Sequence, residues 1–108
     1  MNDKTVVFIS GRISGDPGYK AKFNEAQYRL ENVGFKVLNP AWMPQGLSNA
    51  EYMRMCFSMI DVADVVVLLP DWKYSPGARL EEQYCDYTHK PVCNLEFALT
   101  FKGGVLAE

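Results

Sequence analysis

The sequence predicts an α/β fold: one doubly wound, flavodoxin- or Rossmann-like parallel sheet of four to five strands in the order 2-1-3-4(-5), with helices on both faces. Three observations carry this. Four short apolar runs, at 5–10, 35–38, 65–69 and 91–93, have the length of strands. The segments between the runs carry helical periodicity and capping residues. Strand and helix alternate along the chain, and right-handed crossovers close such an order into a parallel sheet covered on both sides.

Residues 5–10 are β-branched and short, and they stop at Gly11, as a buried first strand does. Gly11, Arg12, Ile13, Ser14 and Gly15 make a glycine-bounded loop. Asp16 and Pro17 are an N-cap and a first-position proline, opening a helix that runs to its C-cap at Gly34. Tyr19, Phe23, Ala26, Leu30 and Val33 form its apolar stripe. The second strand, 35–38, ends at Asn39 and Pro40, and a loop over 40–48 carries Trp42, Met43 and Pro44. Ser48 caps a helix over 49–61, with Tyr52, Met55, Cys56, Met59 and Ile60 pointing inward. Asp64 leads into the third strand, 65–69, and is read as a structural cap at the strand's entrance. Ser75 and Pro76 start the next helix, and 91–93 is the fourth strand. Residues 95–102 read either as a short helix stopped by Gly103 and Gly104 or as a strand.

With 108 residues the chain has room for one domain, 1–108, whose apolar and aromatic content is that of an ordinary globular protein. A core this small gains from pairing with another copy, so a homo-oligomer, a dimer, is expected. The net charge of −2, with no basic cluster, argues against nucleic-acid polymers but leaves room for a single nucleotide. Cys56, Cys85 and Cys93 are odd in number, widely spaced and without a CxxC. They read as free thiols in a reducing cytoplasm, with no sign of a metal site. No basic segment precedes a long apolar one, so neither a signal peptide nor a membrane span is expected.

In the 2-1-3-4 order the winding reverses between strands one and three. The loops after them, 11–15 and 70–77, then face each other at the carboxyl edge, where ligands bind in such folds. Ser75 and Pro76 open a helix whose first turn is a ready anion site. Along that helix, at about 100° per residue, Leu80, Tyr84, Cys85, Tyr87 and Thr88 share one arc, and Arg79, Glu82, Gln83, Asp86 and His89 the other. Glu81 falls inside the apolar arc whereas Glu82 points to water. A carboxylate aimed at the core just past an anion-binding turn is either chemical or the charged edge of a buried stripe. The glycine loop does not match GxGxxG, no acid ends the second strand, and no P-loop is present, so no dinucleotide or other cofactor is expected. Trp42 either stacks on a base or covers a small core. His89 is read as a solvated helix-end residue.

Phe8-Ile9-Ser10-Gly11, residues 24–30, Asn39-Pro40, Ala63-Asp64 and Ser75-x-Gly77-x-x-x-Glu81 together resemble the nucleoside 2-deoxyribosyltransferase-like superfamily, over residues 5 to about 95. It includes base-exchanging transferases, 2′-deoxynucleoside 5′-monophosphate N-hydrolases and small uncharacterised proteins of this length. The resemblance implies a retaining double displacement at C1′ of the sugar, with Glu81 as the nucleophile. Ser75 matches a Ser that contacts 5′-phosphate in the hydrolases, where the transferases have an Asp receiving the 5′-hydroxyl. The phosphate-binding set expected here is therefore Gly11, Arg12, Ile13, Ser14, Gly15, Ser75 and Gly77. The base and sugar pocket is expected from Phe8, Asn39, Trp42 and Cys56. Phe8 replaces the family's Tyr, whose hydroxyl steadies the nucleophile, and Cys56 replaces an Asp that assists the departing base.

The leading expectation is a nucleotide or nucleoside N-glycosidase, hydrolytic or base-exchanging, acting on a 5′-monophosphate. The competing readings are a nucleotide-binding module that has lost turnover and an interaction protein with a vestigial crevice.

Overall fold

A computed structural model describes residues 4–101. Four strands, β1 (Val6–Ser10), β2 (Lys36–Leu38), β3 (Val65–Leu68) and β4 (Val92–Asn94), form an all-parallel sheet in the order β2-β1-β3-β4. The helices are α1 (Tyr19–Val33), α2 (Asn49–Val62), α3 (Pro76–Thr88) and α4 (Leu95–Ala98). The strand order is the predicted one. Within the described residues the tail is a helix, capped by the Asn94 side chain accepting from Phe97 N, rather than a strand. Its expected end at 102–104 lies outside them. No described helix is long and apolar enough to cross a membrane.

The period of two along β1 and β3 sorts their side chains into two cores. Val7, Ile9, Val65 and Val67 pack on Phe23, Ala26 and Leu30 of α1 and Ala98 of α4. Phe8, Val66 and Leu68 pack on Cys56 and Ile60 of α2 and Cys85 of α3. Phe23, Leu30 and Ile60 are fully buried, and each contributes ~1.5–3 kcal/mol by leaving water. Asp64 has its expected structural role: its Oδ2 accepts from Val6 N at 2.8 Å, tying β3 to β1 at the amino edge.

Three expectations about the helices are corrected. α1 starts at Tyr19, not Pro17, because Asp16 turns its side chain onto Gly18 N (2.9 Å) and closes a turn ahead of the helix. Its C-cap at Gly34, with φ of 112°, is as expected. Met55 of α2 is exposed, whereas Tyr52, Cys56, Met59 and Ile60 face the core. On α3 the buried stripe is Ala78, Glu81 and Cys85. Leu80 and Tyr87 are 44% and 87% exposed, Thr88 is exposed too, and Glu82 is half-buried instead of fully in water. The arc is rotated because two helices, α2 and α3, share one face of a narrow sheet: Ala78, Glu81 and Cys85 are buried there, and Tyr84 beside them stacks on Phe57 of α2 and donates to Asp61.

At the carboxyl edge the loops after β1 and β3 are fastened together. Arg12 N donates to Asp71 Oδ1 at 3.1 Å. Lys22 of α1 donates to Asp71 Oδ2, to Asp16 Oδ2 at 2.6 Å and to the Arg12 carbonyl at 2.8 Å. Burial alone would lower the Lys22 pKa, but the bonds to Asp16 and Asp71 outweigh it and the ammonium is held above its usual range. Gly11 sits where no side chain fits, since a Cβ would lie 2.8 Å from Leu69 Cδ1 and 2.9 Å from its Cβ. Gly11→Ala should therefore lower stability by ~1–3 kcal/mol through overpacking, read as a lower urea midpoint at unchanged m-value. At Gly77 a Cβ would find only ordinary contacts, at 3.8 and 3.9 Å, and Gly77→Ala should leave the midpoint unchanged or raise it.

Candidate functional site

A cavity of about 510 Å³ opens at this edge, within the size range of small-molecule sites. Four stretches of the chain make most of its walls, with Tyr19 of α1 and Pro40 and Ala41 beside them. The loop after β1 supplies Gly11, Ile13 and Ser14, and the start of α3 supplies Ser75, Gly77 and Ala78. Tyr52 and Met53 of α2 form a third side, and residues 43–47 the fourth. Gln45 Nε2 of that last segment reaches Tyr19 OH on α1 at 3.4 Å. Glu81 lines the cavity although it is only 4% exposed.

Helix α3 explains how a carboxyl comes to be there. Ser75 caps the helix, its Oγ accepting from Ala78 N at 3.1 Å, and Pro76 occupies the first helical position. Glu81 then falls three residues after Ala78 and four before Cys85, in the centre of the buried stripe. Burial pushes its pKa from the ordinary 4.5 up to about 7. Two donors oppose that rise. Ser10 Oγ, at the end of β1, donates to Oε1 at 2.6 Å, and the Cys56 thiol is a weaker donor beside it. Burial, then the neighbouring Glu81, pushes the Cys56 thiol up, so it stays protonated. Tyr52 is pushed up by burial and by Cys56 and Glu81 in turn. A carboxyl that exchanges its proton near neutral pH, held at the floor of a cavity, can act as a nucleophile when ionised or as an acid when not.

The other predicted residues divide. Gly11, Ile13, Ser14, Ser75 and Gly77 meet on the cavity wall with Glu81. Arg12 and Gly15 do not, because the Arg12 guanidinium folds back onto the carbonyls of Ser14 (3.3 Å) and Gly15 (3.4 Å). Gly15, at φ of 82°, makes that turn possible. Among the described lining residues no Lys or Arg appears.

None of the four base-pocket candidates lines the cavity. Phe8 is fully buried in the core between the sheet and α2 and α3. Asn39 is a structural hub: Oδ1 accepts from Ala41 N at 2.9 Å, and Nδ2 donates to Gln27 at 2.9 Å and Asn24 at 3.3 Å. Trp42 is 72% exposed, its Nε1 donating to Gln27 Oε1 at 3.2 Å. Cys56 lies behind Glu81 rather than in the cavity, packed as a small apolar residue that also touches the carboxyl.

Two site residues were missed from the sequence. Ser10 had a signal: a hydroxyl closing an apolar strand, two positions after Phe8 and so on the same face. Tyr52 was placed inward but not assigned to the cavity. The Lys22–Asp71 pair had no signal, because its partners are 49 positions apart.

Compared with known proteins, a family model described as a domain of unknown function, DUF4406, matches residues 5–94. No curated protein matches the chain.

Glu81 makes stability depend on pH. Between about pH 4.5 and 7 the folded carboxyl keeps a proton that the unfolded chain has released, so stability falls as pH rises through that window. The full loss is ~3 kcal/mol, at ~1.36 kcal/mol per pH unit. Glu81→Gln should flatten the profile, and urea unfolding at pH 5 and pH 8 checks it. A wild-type profile as flat as the variant's would contradict the assigned environment.

Proposed function

The chain belongs to the DUF4406 family, a domain of unknown function, and from its site we propose that it is an N-glycosidase acting on nucleotides or nucleosides through Glu81. The observation that carries the reading is the buried Glu81 carboxyl, with a pKa of about 7, on the floor of the cavity where the sheet's winding reverses. In this reading the ionised carboxylate attacks C1′ of the sugar, a C–O bond forms, and the C–N bond breaks. The base leaves with the electron pair and takes up a proton from solvent water. Water or a second base then attacks C1′ from the opposite side and frees the carboxylate, with net retention.

The resemblance to the nucleoside 2-deoxyribosyltransferase-like superfamily supports the same assignment of Glu81. Ser14, Ser75 and Gly77, with the amino end of α3, are the donors for a 5′-monophosphate. Within the first turn Ala78 N and Arg79 N are taken by Ser75, which leaves the Gly77 N–H for a ligand. A homodimer in the cytoplasm is the form this reading takes, with the exposed Leu80 and Tyr87 of α3 as apolar surface for a second copy.

A second reading, a nucleotide-binding module with little or no turnover, is favoured by one observation. Glu81 is the sole Asp or Glu among the described lining residues, so no second carboxyl stands ready to protonate a departing base.

Incubation with a panel of 2′-deoxynucleosides and their 5′-monophosphates, with chromatography for free base, tests the leading reading. Glu81→Gln should lower release by more than ~10³-fold, the scale on which removing a nucleophile acts. Glu82→Gln should leave it within about twofold, as for a residue outside the reacting groups. Equal rates in the two variants would sink the assignment. Thermal shifts without base release would favour the binding module. In the same screen monophosphates should bind more tightly than nucleosides, and Ser75→Ala should narrow the gap by ~10-fold or more, the worth of one charge-assisted hydrogen bond.

A further inference from the structure

We propose that Ser10 is the positioning residue of this site, its hydroxyl orienting the Glu81 side chain and favouring the ionised form of the carboxyl against burial. The inference deepens the reading of Glu81 as the reacting group, but it starts from geometry that stands without it. Ser10 is the last residue of β1 and only 1% exposed. Its Oγ lies 2.6 Å from Glu81 Oε1, a bond that joins residues 71 positions apart. Phe8 and Ser10 share the face of β1 turned to α2 and α3. Phe8 fills the core there, while Ser10 stands ~6–7 Å further along the strand, at the edge where the cavity begins.

The groups facing Glu81 come from three elements: Ser10 from β1, Tyr52 and Cys56 from α2, and Cys85 from α3 itself. No cation is among them. Tyr52, Cys56 and Cys85 are all pushed up, first of all by burial, so they remain neutral and bring no charge to balance a carboxylate. A thiol is a weak donor, so the Ser10 hydroxyl is the strongest single interaction opposing desolvation of the ionised form. Without it, burial acts with less opposition, the carboxyl keeps its proton to higher pH, and nothing of comparable strength fixes its rotamer. A serine that merely filled space would lack both effects.

The test needs no substrate. Glu81 is titrated through its side-chain carboxyl carbon by NMR in wild type, Ser10→Ala, Ser10→Thr and Ser10→Cys. Ser10→Ala should raise the midpoint by about 1–2 pH units, the worth of a hydrogen bond to a charged group. Ser10→Thr, which keeps the hydroxyl, should restore it, and Ser10→Cys, a weaker donor of similar size, should fall between. Should Ser10→Ala not fold, Ser10→Cys carries the same comparison. An unchanged or lowered midpoint in the variants that lack the hydroxyl, or a threonine that behaves like alanine, overturns the proposal. In the base-release assay, the acid limb of kcat should move up by the same amount while KM stays within about twofold, as for a residue that acts through another. If wild type releases no base, the glycosidase reading fails, and the titration still decides the role of Ser10.

Discussion

β1 and β3 lie side by side although the paired Val7 and Val65 are 58 positions apart. This parallel pairing, with both strands buried on both faces, is the constraint from which the other features follow. Residues between the strands must pass over both faces, so α1 covers one and α2 the other. The chain turns opposite ways after β1 and β3, which leaves a gap between the two outgoing loops at the carboxyl edge. That gap would expose backbone and split the sheet's end if the loops were loose. Instead Lys22 and Asp71 bind them from the side, and Gly11 lets the β1 loop lie against Leu69 without a side chain between.

A carboxyl at the centre of a helix's buried stripe works against folding, since the ionised form gives up its hydration for two donors, a hydroxyl and a thiol. A Leu at 81 would pack the same stripe at no such cost. The molecule thus carries a local loss of stability at neutral pH that the rest of the core offsets.

Much of this was legible beforehand because it depends on local rules. Four strands in the order 2-1-3-4, the caps at Gly34, Ser48 and Ser75, and the inward placement of Glu81 follow from runs, periods and capping residues. Most of what local rules do not reach depends on contacts between distant segments. The rotation of α3's stripe is set by where α2 lies, which no helical wheel contains. Arg12 is a local exception: its charge reads toward a ligand, whereas the carbonyls of Ser14 and Gly15 that hold it come within reach only once the loop is folded. Asn39 reads toward the pocket through the family resemblance, and Trp42 as a residue that either stacks on a base or covers the core. In the folded chain both bond to Gln27 of α1, 12 and 15 positions back, a contact that no local rule contains.

The cavity's walls differ in how they are held. Three are anchored: the loop after β1 by Lys22, Asp71 and Leu69, the start of α3 by its Ser75 cap, and α2 by its own core face with Cys56 and Ile60. Residues 44–46 are exposed and meet none of these constraints: Gln45 touches α1 through one 3.4 Å hydrogen bond and Gly46 has open space around it, whereas Met43 just before them packs against the core of Cys56 and Ile60. Change is therefore unequally available to evolution in this architecture. Substitutions in that one segment can alter what the cavity admits without disturbing the carboxyl and its donors, so a lineage built on this fold can reshape the cavity's mouth while its floor is inherited intact.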